Sequence, residues 1–212
     1  MVHSVNNGGH QQLERMTFFS DAVFAIAMTL LVIEVRVPEI HVHSDAVLGQ
    51  ALLDLLPKYI GFVVSFMVVG RFWVGHHAVM GLLKGLDRRL VWINLLFLMA
   101  IAFMPFPTAV FSDYNGLRVA VGFYAGWLIV LGVMNRWLIT SALGDPAMLR
   151  DDADPADVKL MRRSSLIPLI IGTLAFARGM IQPVFALVML VVGSPVVSWL
   201  VRRDRRGASP SA

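Results

Sequence analysis

Few side chains in this sequence can do chemistry, and those that can stand at the edges of long apolar stretches. Arg15, Ser20 and Asp21 precede or open the first stretch, Glu34 lies near its far end, and His76-His77 close the second. A serine and an aspartate at a helix start cap it, or set negative charge against the positive end of the helix dipole. Near the hydrocarbon boundary an unpaired carboxylate is costly, so Asp21 needs a partner. Arg15, six residues earlier, can fold back to supply one; His76 and His77 are at similar depth. A helix cap with an interfacial ion pair and a functional polar group are two open readings of this site. The adjacent histidines point about 100° apart on a helix, and no cysteine, third histidine or carboxylate completes a ligand set. They read as interfacial histidines, and a membrane enzyme is not expected. No carboxylate lies mid-span, which argues against the strong proton coupling of secondary transporters. The chain has no cysteine, so disulfides, thiolate metal sites and cysteine nucleophiles are excluded.

The elements that hold these groups are apolar helices. Of 212 residues, 57% are hydrophobic and 15% charged, and the mean hydropathy is +0.71. A water-soluble domain of this composition would expose large apolar patches; a bilayer removes that problem. Six segments are long enough to cross a hydrocarbon core of about 30 Å at about 1.5 Å per residue. They run roughly over Phe18–Val37, Leu52–Gly75, Leu90–Phe111, Leu117–Leu138, Ser164–Arg178 and Ile181–Val201. The fifth, short and interrupted by Pro168 and Gly172, could instead form one hairpin with the sixth. The polar start, Met1 to Gln12, lacks the basic cluster of a cleavable signal peptide. There is no internal repeat, so a pore needing several copies of one helix requires several chains.

The net charge of +4 is a topology signal; nucleic acid is not an expected partner. One side of the membrane collects Arg15, Lys84, Arg88, Arg89, Arg150, Lys159, Arg162, Arg163 and the tail arginines 202, 203, 205 and 206. The other keeps only Arg36, Lys58, Arg118 and Arg178. By the positive-inside rule both termini face the cytoplasm, which an even number of spans satisfies. Trp92, Trp127, Trp137 and Trp199 read as interface anchors or packing, and Gly122-x-x-x-Gly126 as a helix-packing motif or chance.

In the first segment, Ile26, Leu30 and Ile33 recur at i, i+4 and i+7 and share one helix face, with Thr29 beside them. Ala22, Ala25 and Ala27 permit close helix contact. Periodicity by itself makes such a stripe packing surface more often than pore wall. Glu34 reads as an interfacial carboxylate, with a role at an outer mouth as the alternative.

Arg15-x-x-x-Phe19-Ser20-Asp21, running on through Ala22 to Glu34, resembles the signature of the transmembrane protein 175 family of potassium channels. The resemblance extends to Phe72-Trp73-x-x-His76-His77 and to Pro105-Phe106-Pro107-Thr108. It implies an all-α membrane protein with six transmembrane helices per chain, forming a non-canonical tetrameric cation channel whose pore is lined by the first helix. A homotetramer follows from one six-helix unit per chain. By position, the resemblance assigns the constriction to Ile26, with Leu30 and Ile33 pore-facing and Thr29 as the selectivity hydroxyl. Arg15, Phe19, Ser20, Asp21, Trp73 and His77 would form a network holding the pore helix. Met28 stands where many relatives have isoleucine. The implied division is a polar cytoplasmic segment at 1–14, a channel domain at 15–201 and a basic, disordered tail at 202–212. The implied activity is passive, weakly selective potassium leak across the plasma membrane, with permeating K+ and lipid as partners and no cofactor. A proton-permeable or proton-coupled cation transporter is the alternative.

Overall fold

The computed structural model describes residues 3–114 and 116–179. The expected sixth segment, Trp199 and the tail lie outside the described residues. Among the described residues eight α-helices follow one another: α1 (His3–Leu30), α2 (Asp45–Asp54), α3 (Leu56–Met80), α4 (Arg88–Ala102), α5 (Pro105–Asp113), α6 (Arg118–Ala142), α7 (Pro155–Ser164) and α8 (Ile167–Gly179). No strand occurs among the described residues. Five helical stretches among the described residues are long and apolar enough to cross a membrane: Gly9–Glu34, Leu56–Met80, Arg88–Asp113, Arg118–Ala142 and Pro155–Ala177. They correspond to the first five segments expected from hydropathy.

The first helix departs most from expectation. It starts at His3, not at Ser20, and runs unbroken through the polar stretch. At about 1.5 Å per residue, 28 residues make a rod of about 42 Å, longer than the hydrocarbon core. The membrane boundary near Phe18 is therefore no helix boundary, and the division drawn at residue 14 falls inside one continuous helix. Ser20 and Asp21 sit in mid-helix and cap nothing. At its far end the helix tightens into a 3-10 turn over Leu31–Glu34.

The third expected segment is broken into α4 and α5. Pro105 has no N–H, and its ring would clash with the carbonyl four residues back. The backbone adapts by a tighter turn, in which the Met104 N–H bonds the Ile101 carbonyl at 3.0 Å. This frees the Ala100 carbonyl, which accepts the Trp127 indole N–H at 3.1 Å. Trp127 is thus a brace within the bundle rather than an interface anchor.

The packing order across the bundle is α1 against α3 and α4, α3 against α5, α4 and α5 against α6, and α6 against α8. The α6–α8 contact is the closest. A Cβ on Gly132 would meet the Leu169 backbone N at 3.1 Å, and one on Gly172 would meet the Ile129 backbone N at 3.3 Å. Gly126, read as packing motif or chance, has open space around its Cβ position, which favours chance for this glycine. The small residues that matter at the α6–α8 seam are Gly132 and Gly172, which approach backbone reciprocally.

Polar and ionic contacts tie the loops at the two ends of the bundle. The loop after α3 and the loop after α6 are bonded backbone to backbone, Lys84 N–H to the Met148 carbonyl and Arg150 N–H to the Leu82 carbonyl, both at 2.9 Å. Lys84 also reaches Asp151 at 2.8 Å. Arg150 grips Asp152 with two bonds of 2.9 Å, which hold the Asp152 carboxyl below its ordinary range. At the other end Lys58 pairs with Asp113 at 2.9 Å.

Gly132→Val and Gly172→Val should each lower the melting temperature in detergent by about 5 °C, the result of about 1–3 kcal/mol of overpacking. Fluorescence-detected size exclusion after heating measures this. An unchanged midpoint for both would show that α6 and α8 are not in contact as described.

Candidate functional site

One face of α1 is buried against its neighbours: Leu13, Ser20, Phe24, Ala27 and, in the 3-10 turn, Leu31. These positions recur at intervals of three, four or seven and form one helical face. At its centre is Ser20, with no exposed surface. Its hydroxyl donates to the Met16 carbonyl at 2.8 Å and accepts the Asn94 side-chain N–H from α4 at 3.0 Å. The Asn94 amide oxygen in turn bonds His76 Nε2 of α3 at 2.8 Å. A three-helix polar chain therefore runs His76–Asn94–Ser20 inside the membrane. Its direction is consistent from donor to acceptor: imidazole N–H to amide oxygen, amide N–H to hydroxyl, hydroxyl to backbone carbonyl. The rings of Phe24 and Phe97 surround His76, with centroids at 5.5 and 6.1 Å. His76 Nδ1 has no partner among the described residues.

The second link of α1 to α3 is nearer the surface. Trp73 Nε1–H donates to Asp21 Oδ1 at 2.8 Å, and the His77 ring lies 5.8 Å from the Trp73 ring. The expected Arg15–Asp21 pair does not form within the chain. Residues six apart on a helix differ by about 9 Å in height and by two-thirds of a turn in direction. With α1 continuous, Arg15 cannot fold back, and its side chain is exposed. Phe19 is exposed as well, at 50%. So the structure joins Ser20, Asp21 and Trp73 to neighbours on other helices and leaves Arg15 and Phe19 outward. Of the two histidines, His76 is the buried, bonded one and not interfacial; His77 stays at the surface.

Sequence reasoning missed Asn94. The signal was available: an asparagine in the middle of an apolar segment must find partners, since lipid offers none. A second polar knot was missed for the same reason. Thr108 of α5 bonds Ser65 of α3 at 2.8 Å, and Ser65 bonds the Tyr124 hydroxyl of α6 at 3.0 Å. All three are buried.

The opposite face of α1 is left uncovered by the described residues. Ile26 is 58% exposed, Leu30 39% and Ile33 57%. The 3-10 turn keeps this row straight. Three residues then complete a full turn, so Ile33 stands directly above Leu30. Thr29 is on the same side, and its hydroxyl donates to the Ile26 carbonyl at 2.8 Å. Its one proton is thereby committed, and its oxygen faces outward as an acceptor.

Comparisons with known proteins bear on this arrangement. The family model for the endosomal/lysosomal potassium channel TMEM175 matches residues 15–105. A potassium channel of Chamaesiphon minutus is 37% identical over 68% of this chain and 72% of its own length. A potassium channel of Streptomyces collinus is 35% identical over 76% of this chain and 82% of its own. The Homo sapiens relative, described as an endosomal/lysosomal proton channel, is 22% identical over 96% of this chain and 42% of its length. Among solved structures, a lysosomal potassium-selective channel TMEM175 homolog from Chamaesiphon minutus superposes with a TM-score of 0.80. It is 29% identical and is covered over 98% of its length by 90% of this chain. A variant of the potassium channel MtTMEM175, 17% identical with a TM-score of 0.59, shares the fold. The motif from Arg15 onward, the helical architecture and the extent of identity to bacterial relatives agree: this chain is an all-α, multi-pass membrane protein belonging to the TMEM175 channel family.

Proposed function

We propose that the protein is a passive, weakly potassium-selective leak channel, built as a homotetramer in the plasma membrane with both termini cytoplasmic. The observation that carries this reading is the uncovered face of α1, where Ile26, Leu30 and Ile33 stand in one row beside an outward Thr29 oxygen. A single chain supplies one such helix. Four chains around a closed symmetry axis supply a ring. The bacterial relatives described as potassium channels support the choice of ion.

An aliphatic ring has no oxygen to replace a hydration shell as carbonyl filters do; it works by dewetting. When narrow, it excludes water and ions together. When it dilates, a hydrated or partly hydrated cation passes. Potassium gives up water more readily than sodium, so a partly dehydrating ring favours it. Four Thr29 oxygens, freed as acceptors by the bond to the Ile26 carbonyl, offer brief coordination beside the ring. K+ is then the preferred permeating ion, and no cofactor or enzymatic step is involved. The polar contacts hold the pore wall: Ser20 to Asn94 and Asp21 to Trp73 fix how α1 is turned about its own axis. Proton permeation is the second reading, favoured by the animal relatives described as proton channels. Reversal potentials under separate potassium and proton gradients distinguish the two.

In bilayers, Ile26→Asn should raise single-channel conductance or open probability by about tenfold, equivalent to ~1.4 kcal/mol of barrier. Ile26→Cys should change the potassium-to-sodium preference in the same recordings. If neither substitution alters conductance or preference, Ile26 is not the constriction.

A separate expectation concerns the struts. Asn94→Ala leaves buried partners unpaired, a cost of about 1–3 kcal/mol, and should lower oligomer recovery on native gels without changing ion preference in the channels that remain. Asp21→Ala should do likewise, whereas Asp21→Asn retains an acceptor for Trp73 and should assemble nearly normally. Equal damage from the alanine and asparagine variants would show that the charge of Asp21, and not its bond to Trp73, is what matters.

A further inference from the structure

The end of the bundle that carries the bonded loops has a cleft that the pore does not use. It has a volume of about 450 Å³ and lies between the C-terminal part of α6, the loop before α7, and α7 itself. Four cations line it: Arg136, Lys159, Arg162 and Arg163. None of the four pairs with a carboxylate among the described residues. Arg136 bonds the Arg162 carbonyl at 3.2 Å and Ser165 Oγ at 3.0 Å, and Arg162 bonds the Leu143 carbonyl. Of the carboxylates near the cleft, Asp151 and Asp152 are paired with Lys84 and Arg150, Asp154 caps α7 by accepting the Ala156 N–H at 2.7 Å, and Asp157 lies in the first turn of α7. The guanidiniums of Arg136 and Arg162 are therefore held in place by neutral carbonyls and a hydroxyl, with their charge unmatched among the described residues. The other wall is apolar, made of Leu149, Val158 and Leu166. Leu166 begins the turn into α8, where the chain enters the apolar span, and is 39% exposed.

Four cations facing three aliphatic side chains, at the level where a membrane helix begins, is an amphipathic site. A soluble anion would satisfy the cations and leave the aliphatic wall wet. We propose that this cleft binds an anionic phospholipid, its headgroup phosphate held by Arg136 and Arg162 with Lys159 and Arg163 completing the charge, and its glycerol and first chain carbons against Leu149, Val158 and Leu166. Arginine forks match phosphate oxygens bidentately. Basic pockets between membrane helices select anionic headgroups, each cation near the surface adding to the attraction. Arg136 ties α6 to the α7–α8 turn through Ser165. A lipid on this cleft clamps the same junction from outside, linking the composition of the leaflet to the packing of α8 on α6.

The test uses the full chain reconstituted in vesicles of equal amounts of phosphatidylcholine and phosphatidylglycerol, then released into mild detergent. Native mass spectrometry reads the lipid retained. The wild type should keep phosphatidylglycerol over phosphatidylcholine by about tenfold. Lys159→Gln combined with Arg163→Gln, two exposed side chains with no side-chain bonds among the described residues, should abolish most of that preference at an unchanged melting temperature. Arg136→Gln, which also loses its bonds to the α7–α8 turn, should abolish it more completely. Equal retention of the two lipids by the wild type overturns the proposal, as does a preference that survives the double substitution. Inorganic phosphate separates lipid from free anion: displacement of the lipid at millimolar phosphate would show a simple anion site and overturn the lipid assignment, while resistance supports it.

Discussion

A side-chain amide in the middle of a membrane helix has no water to turn to, and the bundle is arranged around that fact. Asn94 is buried and must spend both its donor and its acceptor inside the protein. It gives its N–H to Ser20 on α1 and its oxygen to His76 on α3. One residue thus ties three spans at one depth. An apolar side chain there would leave van der Waals packing alone to set how the helices are turned against one another. The amide adds direction. Its bonds are satisfied in one rotational setting of α1 only.

That setting decides which face of α1 remains uncovered. With Ser20 turned to α4, the residues in register with it, Phe24, Ala27 and Leu31, turn inward. Ile26, Thr29, Leu30 and Ile33 are then outward by helical geometry alone. Asp21 and Trp73 fix the same rotation a second time, nearer the surface. The property of interest, an aliphatic row beside one hydroxyl oxygen, is set from behind by polar contacts that never touch it. The Thr29 hydroxyl shows how local this control is. By donating to the Ile26 carbonyl it turns from a group of either polarity into an acceptor.

Much of this was legible in the sequence, and the exceptions share a cause. Hydropathy located five of the described spans, and charge placement anticipated that Lys84, Arg150 and their neighbours gather at one end. The motif starting at Arg15 pointed to the family. What failed were inferences that treated the membrane as the chain's only boundary. α1 was expected to begin where its apolar residues begin, yet the helix continues through the polar stretch to His3, although asparagine and glycine are weak helix formers. The Arg15–Asp21 pair rested on a fold-back that a continuous helix forbids. His76 and His77 are adjacent and read alike, yet a turn of about 100° sends one to the core and the other outward. Composition cannot rank such neighbours; only the position of Asn94 on another helix does so. Gly132 and Gly172 escaped notice because close approach is a property of a pair of helices, and a Gly-x-x-x-Gly pattern in one helix says nothing about its partner.

The second polar knot explains why the bundle tolerates a broken helix beside the first. Pro105 interrupts the span formed by α4 and α5, and an interruption in lipid normally exposes backbone groups that nothing satisfies. Here the Trp127 indole takes the freed Ala100 carbonyl. Thr108, one turn beyond the break, is bonded to Ser65, which is bonded to Tyr124. The two halves are therefore anchored separately. α4 is held to α1 and α3 through Asn94, and α5 to α3 and α6 through Thr108. Each half of the span answers to its own set of neighbours, so a change in how α5 sits against α6 need not disturb the bond between Asn94 and Ser20. The proline thus divides the span into a half bonded to α1 through Asn94 and a half bonded to α3 and α6 through Thr108.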